Sequence, residues 1–302
     1  PPIQDGADGT EFFEAALANG INAFDTARVY MEAEHSFGNW LEKSGRREEV
    51  VILSKCGHPD AMWNKRVNEK EMRKDLKKSL EELKTDYIDI YMLHRDDLDT
   101  EVAVAVETFN AMHEEGSIGA FGASNWTHTR IEEANEYAYK HNLIPFSVSS
   151  PNFCLARQVE DPWGGGCVNI CGPENQAARA WYEKNQMPVI AYASLGRGFF
   201  SGRMKSEYAD HAGDYLDSFA MTGYACSDNF ERLRRCEIIA EKHGVTVAQI
   251  AMNWIFSHPL NIFAIASMSK ADRMKANREA LLLKLSNEEI AYLALETPEF
   301  CG

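Results

Sequence analysis

The chain has 302 residues, 45% of them hydrophobic, enough to bury one large core, and an α/β barrel commonly fills this length as a single domain spanning residues 1–302. Lys and Arg total 31 against 46 Asp and Glu, and the net charge of −15 argues against nucleic acid and anionic membranes, which both reward basic patches. No stretch approaches a membrane span, residues 1–6 lack a basic and apolar leader, and seven cysteines suit a reducing cytoplasm better than a disulfide framework.

From Gly9 to Asn19 an amphipathic segment carries Phe12, Phe13, Ala16 and Leu17 at helical spacing, and Gly20 ends it. Ile21 to Phe24 reads as the end of a buried strand, and Asp25 to Tyr30 as the loop that leaves it. A helix over residues 32–44 follows, and then the β-branched run Val50 to Ser54, closed by Lys55. Met72, Leu76, Leu80 and Leu83 stripe the next helix. It leads into the strand Tyr87 to Leu93, closed by His94. A helix with Val102, Val106, Phe109 and Met112, the strand Ile118 to Gly122, a helix from Thr127 to Tyr139 and a short strand Pro145 to Ser149 continue the alternation.

Residues 154–173 read as an irregular loop, long enough inside a compact domain to be functional. Within it, Cys167 and Cys171 read as free thiols and not as half of a zinc site, because no second pair sits at finger spacing. A helix over residues 174–184 and the strand Val189 to Ala193 come next, followed by Ser194-Leu195-Gly196-Arg197-Gly198 and a stretch rich in Asp, Ser and Gly that looks mobile. Thr246 and Gln249 form a capping box for a helix through Phe256, and Ser286 and Glu289 form another for the last helix. Between them lie a strand at residues 261–266 and a helix over residues 270–283. This unbroken order implies a parallel sheet with helices outside it.

Three successive strands thus end in Asp25, Lys55 and His94, and in a parallel β/α protein these side chains converge with Tyr30. Phe24-Asp25-Thr26-Ala27 with Tyr30, the strand-end Lys55, Leu83 to Asp89 before His94, and Gly122-Ala123-Ser124-Asn125 resemble, in order, the motifs of the aldo-keto reductases. The resemblance covers residues 9 to about 283. It implies a (β/α)8-type TIM barrel and the NAD(P)H-dependent reduction of an aldehyde or ketone, including a sugar, polyol-derived or glycoside carbonyl, to an alcohol. Seven strands are counted where such a barrel has eight. The Asp25 strand would then carry an unpaired edge, so an upstream strand, in a longer or fused polypeptide, is expected to cover it.

By the same resemblance, Tyr30 is the general acid, Lys55 lowers its pKa, Asp25 holds the Lys55 ammonium and His94 donates a hydrogen bond to the substrate oxygen. Each role is also what carbonyl reduction requires, because negative charge develops on that oxygen. Ser124 and Asn125 match the pair that holds the cofactor carboxamide, and Tyr192 the aromatic that stacks on the nicotinamide. Ser149 or Ser150 stands where a glutamine is usual. Ser194, Leu195 and Gly198 resemble the pyrophosphate loop, and Ser267, Ser269, Arg273 and Asn277 the adenosine end. There Arg273 and Lys270 favour the 2′-phosphate of NADPH, with NADH as the alternative.

For the substrate, Trp63, Trp126 and Trp163 lie in or beside strand-end loops, and Arg95-Asp96-Asp97 follows His94. Aromatic platforms beside a polar cluster suit a small carbonyl or alcohol rich in hydroxyls. The rival reading is a reductase-like subunit that binds nicotinamide but serves mainly as a partner or regulatory module. Oligomeric state is not legible in the sequence.

Overall fold

A computed structural model of the chain describes residues 8–267 and 271–298. The chain divides into two compact units, one running to Ser150 and joined by Ser267–Met274, the other holding Pro151–Ala266 and the chain from Lys275 onward.

In the first unit, strands β1 (Ala23–Asp25), β2 (Val51–Cys56), β3 (Ile88–Leu93), β4 (Ile118–Ser124) and β5 (Val148–Ser150) pair in parallel, each with the next in sequence. Helices α1 (Thr10–Ala18), α2 (Ala33–Ser44), α3 (Glu69–Leu83), α4 (Val102–Glu114) and α5 (His128–Lys140) alternate with them. Register fixes what the strand ends present. Asp25 pairs with Leu53 and Lys55 with Met92, so these polar residues stand at the carboxyl ends of neighbouring strands. Because successive strand side chains face opposite ways, Ser54 meets buried Glu34 of α2 while Lys55 meets Asp25.

Beneath the strand ends, Phe13 stacks on Phe37 at 4.6 Å and on Trp40 at 4.9 Å, which seats α1 and α2. Helix α2 approaches α3 at Gly38, where a Cβ would lie 2.0 Å from the carbonyl oxygen of Glu82, so only glycine permits that spacing. Helix α3 begins where the Asn68 side chain accepts from the Glu71 amide at 3.0 Å.

The second unit contains the parallel pair β6 (Val189–Ala191) and β7 (Ile262–Ala264), with helices α6 (Gln176–Asn185), α7 (Ser218–Tyr224), α8 (Ser227–His243) and α9 (Val247–Phe256). Helices α10 (Ala271–Glu279) and α11 (Asn287–Leu293) complete the described elements. Both expected capping boxes are present, at Thr246 with Gln249 and at Ser286 with Glu289. The stretch expected to be mobile instead carries a 3-10 segment at Ser206–Asp214 followed by α7 and α8. Helix α8 buries Asn229, Arg232 and Arg235 beside Leu233, Cys236 and Ile239, so its inner face is too polar to show as an apolar stripe.

Seven strands are found among the described residues, in the expected order. No helix among the described residues is long and apolar enough to cross a membrane.

Candidate active site

Lys55 is 3% exposed, and its ammonium donates to an Asp25 carboxylate oxygen and, at 2.9 Å, to the Thr26 carbonyl. Burial works against the Lys55 charge, but the Asp25 carboxylate, followed by Tyr30, outweighs it and raises the pKa above the ordinary lysine value. Burial raises Asp25 as well, with Lys55 pulling the other way. A bonded ammonium settles the pair as ionic, with Lys55 charged.

Tyr30 sits half-buried with the Lys55 ammonium 5.2 Å from its ring centroid, and its ring meets that of His94 edge-on at 5.6 Å. Lys55 and Arg95 lower the Tyr30 pKa, as expected of neighbouring cations, yet burial is the larger effect and the net shift is upward. The expected net lowering is therefore corrected, because removing a phenolate from water costs more here than the two cations return. The phenol stays protonated at neutral pH. For His94 burial comes first, and Lys55, His58 and Arg95 act in the same direction, so the imidazole is held well below its ordinary pKa and is neutral.

Asn125 fastens the next strand end to this group. Its side-chain amide donates to the His94 carbonyl at 3.0 Å and to Ser124 Oγ at 3.2 Å, and Ser124 Oγ donates to the Ser150 carbonyl at 2.9 Å. Ser124, Asn125, Ser149 and Ser150 are all buried. Ser149 stands opposite Ala123 and Ser150 opposite Ser124 in the register of β4 and β5.

The remaining residues singled out in the sequence have varied placements. Trp63 is 57% exposed in the loop after β2, whereas Trp126 is 1% exposed and packs on Phe146 at 5.5 Å beneath the Arg130 guanidinium. Its indole N–H donates to the Arg95 carbonyl at 3.5 Å, so Trp126 braces the loop and offers no open face to a substrate. Asp96 and Asp97 are likewise engaged within the protein, with Arg130 at 3.5 Å and with Lys65 at 2.7 Å.

In the second unit, Tyr192 packs edge-on against Trp163 at 5.6 Å, and its hydroxyl donates to the Val168 carbonyl at 3.4 Å. Ser194 Oγ donates to the Ile265 carbonyl, and the turn through Leu195 runs at positive φ at Ala193, Gly196, Arg197 and Gly198. Asn277 lies on α10 in this unit and is half-buried. Ser267 and Arg273, of the first unit, are exposed. Ser269 and Lys270 lie outside the described residues. The thiol of Cys171 donates to Asn152 Oδ1 at 3.2 Å, and Cys167 donates its amide to Asp161 at 2.8 Å.

Two residues that sequence reasoning passed over stand close to this set. The ring of His58 meets that of His94 at 4.9 Å, and buried Glu34 pairs with Arg28 at 2.5 Å while accepting from Ser54. The only signal for His58 is its place three residues beyond Lys55, just after Gly57.

The sequence model of the Aldo/keto reductase family matches residues 5–294. This chain belongs to that family. Aldo/keto reductases are NAD(P)H-dependent oxidoreductases, and this chain is such an enzyme. It is 28% identical over 319 residues to Protein tas of Escherichia coli (strain K12), covering 94% of this chain and 88% of that one. It is 25% identical over 283 residues to aldo-keto reductase str7 of Strobilurus tenacellus, with 92% and 77% covered. With the aryl-alcohol dehydrogenase GME11368 of Pestalotiopsis microspora it shares 26% identity over 286 residues, with 90% and 67% covered. The crystal structure of the thermostable aldo-keto reductase Tm1743, in complex with the inhibitor epalrestat, matches with a TM-score of 0.69 at 23% identity, covering 95% of this chain and 86% of that one. The fold is therefore of the (β/α)8 barrel type found in aldo/keto reductases.

Within the first unit the residues present are of the kinds that hold a nicotinamide cofactor. Asn125 and Ser124 supply buried amide and hydroxyl groups beside His94, and Arg273 offers an exposed guanidinium suited to an anionic group.

Proposed function

We propose that this enzyme reduces an aldehyde or ketone to an alcohol with NADPH, using Tyr30 as the general acid. The observation that carries the reading is the meeting of a protonated Tyr30, a neutral His94 and the Lys55–Asp25 ion pair at the ends of β1, β2 and β3. The cofactor, when bound, supplies a hydride to the carbonyl carbon. Tyr30 gives its proton to the oxygen as charge builds there, and the fixed positive charge of Lys55 stabilises the phenolate left behind. His94, neutral and close to the phenol, donates a second hydrogen bond that orients the same oxygen. Ser124 and Asn125 hold the cofactor carboxamide, and Arg273 the 2′-phosphate.

For the substrate, an aromatic or apolar carbonyl is favoured over a sugar. Trp63, Met62, Met31, Leu98 and Val29 are exposed in the loops after β1, β2 and β3, whereas Asp96 and Asp97 are taken up by Arg130 and Lys65 and are not free to bind hydroxyls. The aryl-alcohol dehydrogenase among the relatives agrees with this choice.

The test is NADPH oxidation followed against a panel of aryl aldehydes, aliphatic ketones and reducing sugars, with Tyr30→Phe in parallel. Aryl aldehydes are expected to turn over fastest, and Tyr30→Phe to lose about 10²–10⁴-fold in kcat with cofactor affinity unchanged. Wild-type rates in that variant would remove Tyr30 from the reaction, and a preference for sugars would overturn the substrate class.

A further inference from the structure

A catalytic imidazole is usually held in orientation by a hydrogen bond at the nitrogen that does not face the substrate. His94 has none. Its Nδ1 is buried without a hydrogen-bond partner among the described residues, although the residue is only 8% exposed. Two rings flank it instead. Tyr30 lies edge-on at 5.6 Å with an interplanar angle of 84°, and His58 at 4.9 Å with an angle of 69°.

His58 is itself tightly placed. Its Nδ1 donates to the Pro59 carbonyl at 2.8 Å, and because a carbonyl can only accept, that nitrogen carries the proton. The backbone that presents it is clamped from both sides. Gly57 takes φ +71°, a left-handed turn that favours glycine, and its amide donates to Asp75 Oδ2 at 3.0 Å. Arg66 donates to the His58 carbonyl at 3.2 Å and to the two Asp75 oxygens at 2.6 and 3.1 Å. Beyond the ring lies a cavity of about 290 Å³, bordered by His58, Val29, Pro59, Ala61, Arg28 and Arg66. His58 thus has open space at its border and the His94 ring against it at 4.9 Å.

The geometry points to His58 as a positioning residue that fixes the His94 imidazole by ring contact, with the Gly57, Asp75 and Arg66 clamp setting where His58 stands. This rests on the reading of His94 as the group that orients the substrate carbonyl. Cutting His58 back to alanine removes the ring packed on His94 and leaves the imidazole free to turn about χ2, because no hydrogen bond at Nδ1 replaces the lost contact. His58 acts through shape and not through proton transfer. The groups that face the two rings are Tyr30, Lys55 and Arg95 around His94, and Arg95, Arg66 and Asp75 around His58. None of them is altered by the substitution.

The experiment compares His58→Ala, His58→Phe and His94→Ala in kcat and KM for an aryl aldehyde, together with NADPH affinity by fluorescence titration. A displacement of about 1 Å in a catalytic group costs on the order of 10²-fold. His58→Ala is therefore expected to lose roughly ten- to hundredfold in kcat, with KM and cofactor affinity changed far less. His58→Phe, which restores a flat ring without a titrating nitrogen, is expected to recover most of the loss. Wild-type kcat in His58→Ala overturns the proposal, as does a His58→Phe variant as slow as the alanine one, or a kcat loss matched by an equal loss of cofactor binding. His94→Ala separates the two levels. If it turns over normally, the reading of the site itself fails. If it is slow while His58→Ala is not, only the role of His58 fails.

Discussion

Replacing Lys55 by Met removes a cation from a group that has almost no water to fall back on. The lysine side chain is 3% exposed and the Asp25 side chain 16%, and the ammonium also satisfies the Thr26 carbonyl at 2.9 Å. Breaking such a pair by deleting one partner costs about 3–5 kcal/mol, because the remaining charge stays buried and unpaired. An entropy of unfolding near 2.1 cal/mol/K per residue gives roughly 0.6 kcal/mol/K for this chain, so a drop of about 5–8 °C in Tm is expected near pH 8. The sign of the pH dependence follows from Asp25. Burial already raises its pKa against the pull of Lys55, and without Lys55 it rises further. As pH falls the carboxyl takes up a proton, the buried charge disappears and the penalty fades, so the deficit should shrink toward about pH 5. The double variant Lys55→Met with Asp25→Asn should recover most of the stability at the higher pH. In the wild type, Lys55 is raised, so its contribution is full below the unfolded lysine value and is lost only as pH climbs through the folded one, above about 10.4. Thermal melts of the three proteins by circular dichroism at the two pH values decide the matter. A single variant within about 1 °C of wild type at both, or a double variant no more stable than the single, would falsify the account of a coupled buried pair.

With Tyr30 raised by burial and His94 held well below its usual value, kcat for carbonyl reduction should stay level from about pH 6 to 8 and fall only as pH rises through the Tyr30 value above about 10. Steady-state rates across that range check this, and a break near pH 6.5 would contradict the neutral His94. Arg273→Ala should weaken NADPH by roughly ten- to hundredfold and leave NADH nearly untouched, since only NADPH brings a phosphate for the guanidinium; equal losses in a binding titration would dismiss that role. Trp126→Ala should lower stability by about 3–5 kcal/mol, as expected for a fully buried aromatic, and a variant that melts normally but has lost substrate affinity would return Trp126 to the substrate pocket.

The alternation of strands and helices in the first half was legible because its apolar runs are short, β-branched and closed by a polar residue, while its helices carry clear stripes such as Met72, Leu76 and Leu83. The segment from Ser206 to His243 was not, for two physical reasons. Its composition reads as loop, and the inner face of α8 carries Asn229, Arg232 and Arg235, whose polar groups are satisfied by distant partners that no local pattern reveals. Arg235, for example, donates to the Tyr292 and Thr297 carbonyls at 2.7 and 2.6 Å. Trp126 illustrates the same limit from the other side. A tryptophan beside a strand-end loop can face a ligand or seal the loop, and only the packing of Phe146 and Arg130 decides between them.

At the candidate site, the strand ends brought Asp25, Tyr30, Lys55 and His94 together as the sequence order suggested, but the net effect on Tyr30 runs the other way. Charge neighbours can be counted from strand ends, since each contributes a sign fixed by its residue type. Desolvation cannot, because it depends on everything that packs around the group, and here it sets the direction for Tyr30 and His94, while at Lys55 it is overcome by Asp25 and Tyr30. Burial acts on an acid and a base in opposite directions. It raises the phenol and lowers the imidazole, so both are left neutral and able to donate, while the one cation that could be lost to burial is retained by its contact with Asp25. Two neutral donors beside the fixed positive charge of Lys55 are suited to an oxygen that gains negative charge in the proposed reaction. A His94 that became cationic would repel Lys55 and compete with Tyr30 for the role of acid. In the proposed mechanism burial therefore sets the roles as much as the residues do, and opening the site to water should blur them even where every side chain is kept.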